Sequence, residues 1–147
     1  MKKVFFAILL VAGAQLFASA NNTPAVSEKV LKSFQQTFQR VSDVSWADLG
    51  NGYEARFTFN DIITRVVYDN EGTAVKTIRY YFEQQLPLNI LTKVKSSYSD
   101  QKVYSVTEVT TGDDTEYHIV LEDDKNWTML LADQNGAMSV EKRFNKA

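Results

Sequence analysis

Apolar residues recur along this chain with two different periods. Val26, Val30, Phe34, Phe38 and Val41 lie at spacings of three and four. That is one face of an amphipathic helix. Thr23-Pro24 or Ser27 would start it, since Ser and Thr cap helices and Pro suits the first turn. The period then changes to two. Val44 and Trp46 alternate inward on a short strand, and Tyr53, Ala55, Phe57 and Phe59 do so on a second. Asn51-Gly52 and Asn60-Asp61 have turn composition. Ile62 to Tyr68 returns as a third strand, and Thr73 to Phe82 forms a fourth.

The same order then repeats. Leu86-Pro87 opens a second helix with Ile90, Leu91, Val94 and Tyr98 inward, and strands are expected at 103–109, 116–123, 126–132 and 137–144. Tyr53-Glu54-Ala55 overlies Tyr117-His118-Ile119 at a shift of sixty-four, which also superposes Asp69 on Asp133, Gly72 on Gly136 and Arg79 on Arg143. Upstream the shift is sixty, so an insertion falls within residues 110–116. The turns YDNEG and ADQNG are expected to be the third hairpin of each unit. Asp accepts local backbone hydrogen bonds there and Gly supplies the positive φ. A calcium loop needs more oxygen ligands at another spacing. The expected fold is α+β: a tandem repeat of two α-β-β-β-β units forming an eight-stranded antiparallel sheet, with helices packed on one face. The units span residues 21–83 and 84–147.

The first twenty residues, MKKVFFAILLVAGAQLFASA, have a basic start, a short apolar run and a small-residue end. That is the pattern of a secretory signal peptide, with cleavage expected after Ala20. An uncleaved anchor is the alternative. No later stretch is long and apolar enough to span a membrane. The location expected is periplasmic or secreted. With no cysteine in the chain, a lipoprotein anchor and disulfides are both excluded. Loss of Lys2 and Lys3 takes the formal charge from −2 to −4. Such a mildly acidic chain lacks the basic surface a nucleic-acid partner requires.

An export signal followed by F-x3-F, V-x-W, Y-E-A-x-F and Y-D-x-x-G in order resembles the PepSY-like proteins, grouped with the beta-lactamase-inhibitor-like (BLIP-like) proteins. The residues are Phe34, Phe38, Val44, Trp46, Tyr53-Glu54-Ala55, Phe57, Tyr68-Asp69 and Gly72. The resemblance covers nearly all of residues 26–144. It implies a small exported protein of Bacteroides-related bacteria, most of which have no assigned activity. In the inhibitor of this fold, two tandem units form one sheet whose concave face binds an enzyme. That inhibitor has disulfides, and its contact residues find no match here, so beta-lactamase inhibition is not carried over. The motif residues are core and turn positions and speak for fold rather than activity.

Candidate chemistry is sparse. The one histidine, His118, lies mid-strand and reads as a surface residue. No nucleophile elbow accompanies it. The pairs Asp113-Asp114 and Glu122-Asp123-Asp124 read as solvated turns, because glycosidase carboxylates must face each other across a cleft. No metal, cofactor or catalytic residue is expected, and no enzyme. The outward sheet face is more informative. Alternation places Glu54, Arg56, Thr58, Ile63, Arg65 and Val67 there in the first unit, with His118, Val120, Glu122, Trp127, Met129 and Leu131 in the second. Arg79, Tyr81, Glu141 and Arg143 follow on the last strands.

Arg56, Arg65, Arg79, Tyr81, His118, Trp127, Met129 and Arg143 are therefore the candidate partner-binding residues, since aromatics, Met and Arg are enriched where proteins bind. Either this is a binding face, or chain ends and a shifted register account for it, because a one-residue slip exchanges the faces. The reading is a non-catalytic exported binding or inhibitory module. Its partner would be another exported or envelope protein or a peptide. The alternatives are a homodimeric structural envelope protein and a small-ligand carrier, the latter disfavoured by core aromatics such as Trp46, Phe57, Phe59 and Tyr80 that would fill the space.

Overall fold

The computed structural model describes residues 24–146. The expected signal peptide, its cleavage point and Thr23 lie outside them. Helix α1 (Glu28–Thr37) leads into strands β1 (Ser45–Asp48), β2 (Gly52–Phe59), β3 (Ile62–Asp69) and β4 (Ala74–Tyr81). A single 3₁₀ turn, Glu83–Gln85, connects to α2 (Leu88–Ser97), followed by β5 (Lys102–Thr111), β6 (Asp114–Glu122), β7 (Asn126–Asp133) and β8 (Met138–Asn145). The strands form one eight-stranded sheet in chain order, every neighbouring pair antiparallel. The α+β fold and the repeated order of elements are as expected from the sequence.

The local reasons are visible in each half. Ser27 caps α1 by accepting from the Val30 N–H at 3.4 Å, a contact worth about 1 kcal/mol. Val30 and Phe34 are the buried face of α1 and pack on Ala55, Phe57, Val66 and Tyr68 of the sheet. Phe34 meets Phe38, Trp46 and Phe57 at centroid distances of 5.2, 5.3 and 5.1 Å. Burying each large ring stabilises the fold by roughly 1.5–3 kcal/mol. Ile90 and Val94 play the same part for α2, over Val106, Ile119, Leu121 and Leu130. Ile62 and Tyr81 from the first half join this second core.

The paired turns behave alike. Asp69 Oδ1 accepts from the N–H groups of Glu71 and Thr73, at 3.0 and 2.8 Å. Asp133 Oδ1 accepts from those of Asn135 and Ala137, both at 2.9 Å. Gly72 and Gly136 take φ values of +87° and +81°. Each turn also seats a helix. A Cβ on Gly72 would lie 2.8 Å from the Lys29 carbonyl oxygen of α1, and Lys93 of α2 donates to the Gly136 carbonyl at 2.6 Å. The Asn60-Asp61 hairpin has positive φ at both residues, as a type I′ turn requires.

The insertion expected near residues 110–116 lengthens the β5–β6 hairpin. Strand β1 has four residues and β5 has ten. Val106–Thr111 of β5 pairs with β4 and joins the halves.

Three register shifts change which face the strand ends present. Val75 is an extra residue between the pairs Tyr68↔Ala74 and Val67↔Lys76. Glu141 is extra between Leu130↔Val140 and Met129↔Lys142, and Tyr104 between Val103↔Leu121 and Ser105↔Val120. One inserted residue reverses the alternation beyond it. Arg79 therefore pairs with buried Thr64, and Arg143 with buried Thr128. Arg79, Tyr81 and Arg143 thus lie on the helix side, not the outward side expected from simple alternation. Tyr80, expected in the core, points the other way with Ile63. Tyr104, which the shift of sixty sets over the inward Val44, stacks against Trp127 on the outward face.

Candidate interaction face

No helix among the described residues packs on the outward side of the sheet, and residues there follow from the register. One row across the strands reads Thr58, Ile63, Tyr80, Thr107, His118, Leu131 and Ser139. The rows on either side carry Arg56, Arg65, Ile78 and Val109, and Ser105, Val120, Met129 and Lys142.

In the first half this face carries paired charges beside the apolar side chains of Ile63, Val67 and Ile78. Arg65 donates to Glu54 through Nε at 3.0 Å and Nη2 at 2.6 Å, and to the Tyr80 hydroxyl through Nη1 at 3.2 Å. The Glu54 hydrogen bonds, with help from Tyr80, raise the Arg65 pKa still further above its ordinary value. Arg56 sits directly opposite Arg65 and is exposed.

In the second half the face is apolar and aromatic. Trp127 meets Tyr104 edge-on at 4.8 Å, and Lys146 Nζ sits 4.7 Å from the Trp127 ring centroid. Lys146 also pairs with Glu122 at 2.9 Å. Phe144 lies opposite Trp127 and carries Lys142 over its ring at 5.7 Å. Tyr104 and Phe144 remain 53% and 42% exposed, large values for aromatic side chains in a folded chain. Met129 and Leu131 continue the patch along β7, and His118 reaches Glu141 at 3.4 Å.

Of the eight candidates, Arg56, Arg65, His118, Trp127 and Met129 share the outward face. Trp127 and Met129 form one patch, with His118 one strand away and the arginine pair in the other half. Arg79 and Tyr81 belong instead to a polar joint between the halves on the helix side. Glu108 of β5 accepts from Arg79 at 2.9 Å and from the Tyr81 hydroxyl at 2.6 Å. Burial first, then the Glu108 contact, pushes the Tyr81 pKa up. Arg143 donates to Thr128 at 3.2 Å. Tyr104, Phe144, Lys142 and Lys146 were missed. An aromatic just after a strand start and a basic-aromatic C-terminal strand were the available signals, and alternation alone misdirects the first.

Among the described residues, no group of three or more His, Cys, Asp or Glu residues gathers to hold a metal ion. Asp113, Asp114 and Asp124 are exposed, and Asp123 is engaged in a turn. Asp123 accepts from the N–H groups of Lys125 and Asn126 and from Gln101, and these bonds, led by Lys125, hold its carboxyl down to about 2.

No protein-family model matches the chain, and no curated protein matches it. Solved structures do. A BLIP-like protein of Bacteroides fragilis superposes with a TM-score of 0.65 at 20% identity, over 84% of this chain and 90% of that one. A DUF2874 family protein of Bacteroides ovatus gives 0.63 at 20%, covering 83% and 89%. A protein described as periplasmic from Bacteroides eggerthii gives 0.61 at 19%, covering 83% and 90%. The fold is BLIP-like. No helix of the described residues is long and apolar enough to cross a membrane.

Proposed function

We infer that this chain is a non-catalytic exported binding module that holds a protein or peptide on the uncovered face of its sheet. Residues 21–83 and 84–147 would act as its two units, after removal of residues 1–20, in the periplasm or outside the cell. The PepSY-like resemblance of residues 26–144 belongs to the same reading. The observation that carries it is the patch on the second half. Trp127 stands on a helix-free face, braced by Tyr104 and Lys146, with Met129, Leu131 and Phe144 around it. A rigid aromatic anchor with a charged rim is what concentrates binding energy at protein interfaces. A contiguous outward apolar patch is otherwise a liability for a soluble domain.

The test is affinity capture from an envelope extract, comparing the wild-type chain with Trp127→Ala. A protein retained by the wild type and lost by a variant that still unfolds in one cooperative transition supports the reading. Equal retention by both sinks it. A stable dimer mass at two concentrations, with nothing captured, would favour a homodimer buried through the same patch.

A further inference from the structure

The first half carries an unusual charge arrangement on the same face. Arg56 and Arg65 lie directly opposite each other on β2 and β3. Like charges facing across strands destabilise a sheet. Glu54 relieves only one of them, because both of its carboxylate oxygens are taken by Arg65. Arg56 makes no ion pair and no side-chain hydrogen bond among the described residues. It is exposed at the wall of an open hollow of about 490 Å³, together with Ser45, Thr58 and Ile63. A second hollow of about 280 Å³ begins at the same Ile63 and is bounded by Tyr80 and Phe82. Ile63 and Phe82 are 42% and 65% exposed, so apolar surface adjoins the free guanidinium.

We propose that the hollow at Arg56 receives a carboxylate side chain of a protein partner, with an apolar neighbour of that side chain seated over Ile63 and Tyr80. This rests on the binding role of the uncovered face and names the chemistry of its occupant. The guanidinium fork matches a carboxylate bidentately, while the Ser45 and Thr58 hydroxyls offer donors beside it. The rim argues for a single negative charge. Asp43 lines the first hollow and Asp61 the second, and each would repel a phosphate dianion about twice as strongly as a singly charged carboxylate. Arg65, held by Glu54 and Tyr80, keeps the second positive charge fixed beside the site without competing for the ligand. The sheet thus tolerates two opposed arginines because one is neutralised internally and the other by the partner.

The experiment is panning of a random displayed-peptide library against the purified exported chain, Arg56→Gln and Arg56→Glu. The Arg56 side chain makes no contact that folding needs, so neither variant should melt below the wild type. The expected result is recovery by the wild type of peptides with Asp or Glu beside an apolar residue. Their affinity should fall about tenfold or more in Arg56→Gln, the loss of a charge-assisted hydrogen bond. Arg56→Glu should turn the selection toward Lys and Arg. Recovered peptides without acidic bias, an acidic bias unchanged in Arg56→Gln, or no recovered peptides would each overturn the proposal. A partner whose capture needs Trp127 but is indifferent to Arg56→Gln would also overturn it, while leaving the binding role of the face intact.

Discussion

The two halves repeat one order of elements but spend their aromatic residues oppositely. In the first, Phe34, Phe38, Trp46, Phe57 and Tyr68 pack together between helix and sheet. In the second, that space is filled mainly by Ile90, Val94, Ile119, Leu121 and Leu130, with Tyr81 and Tyr117 beside them, while Tyr104, Trp127 and Phe144 stand on the other side of the sheet. Outward, the first half shows a pair of arginines beside Tyr80, and the second shows three aromatics. A sheet covered on one face leaves its second face free to vary without disturbing the core. One architecture thereby offers a charged surface and an apolar one side by side.

Breaking the first core should have the largest effect. Phe34→Ala removes the centre of the aromatic cluster and should cost about 3–5 kcal/mol, measured by urea unfolding. Leu130→Ala in the second core should cost about 2–5 kcal/mol. Both should shift a single transition, because Ile62 and Tyr81 tie the first half into the second core; two separate transitions would contradict that tie. Tyr81→Phe tests the joint itself. It strips Glu108, which is only 12% exposed, of its 2.6 Å donor and should cost about 1–3 kcal/mol.

The alkaline response should come from the buried tyrosines. Burial pushes the Tyr68 pKa up to about 12, so the folded state prefers the neutral phenol. That contribution is complete below the ordinary value near 10 and is lost as pH rises through about 12. Melting temperatures across this window should fall less steeply in Tyr68→Phe than in the wild type. Trp127→Ala should have a much smaller effect on stability, about 1 kcal/mol for the lost aromatic pair with Tyr104. A loss as large as that of Phe34→Ala would erase the contrast between the halves. The smallest effect should be at Asp123. Its carboxyl is held down to about 2, so its contribution is present above the ordinary value near 4 and disappears as pH falls through about 2. Asp123→Asn should flatten that acid limb of the melting curve.

Much of this architecture is legible in the sequence. The three-and-four spacing of Val30 and Phe34 marks α1, and the alternation of Ala55 with Phe57 or Ile119 with Leu121 marks the inward face. Asp69-x-x-Gly72 and Asp133-x-x-Gly136 mark equivalent hairpins. The errors cluster at Val75, Tyr104 and Glu141. A bulge residue there has no distinctive type, yet each shifts the register and reverses the faces beyond it. Arg79 and Arg143, equivalent in the two halves, were misplaced together for this reason. Trp127 and Met129 lie on β7, which carries no inserted residue, and so keep the expected face. The partner was not legible, because the motif residues are turn and core positions that build the sheet and leave its outward surface unspecified.

The account turns on the outward face of the second half being occupied in the cell. The most direct measurement is photo-crosslinking in living cells, with a benzophenone amino acid at Met129 and, as a control, at exposed Gln35 on α1. The account predicts a discrete crosslinked species from Met129 and none from Gln35. A species from Gln35 alone, or none from Met129, would contradict it.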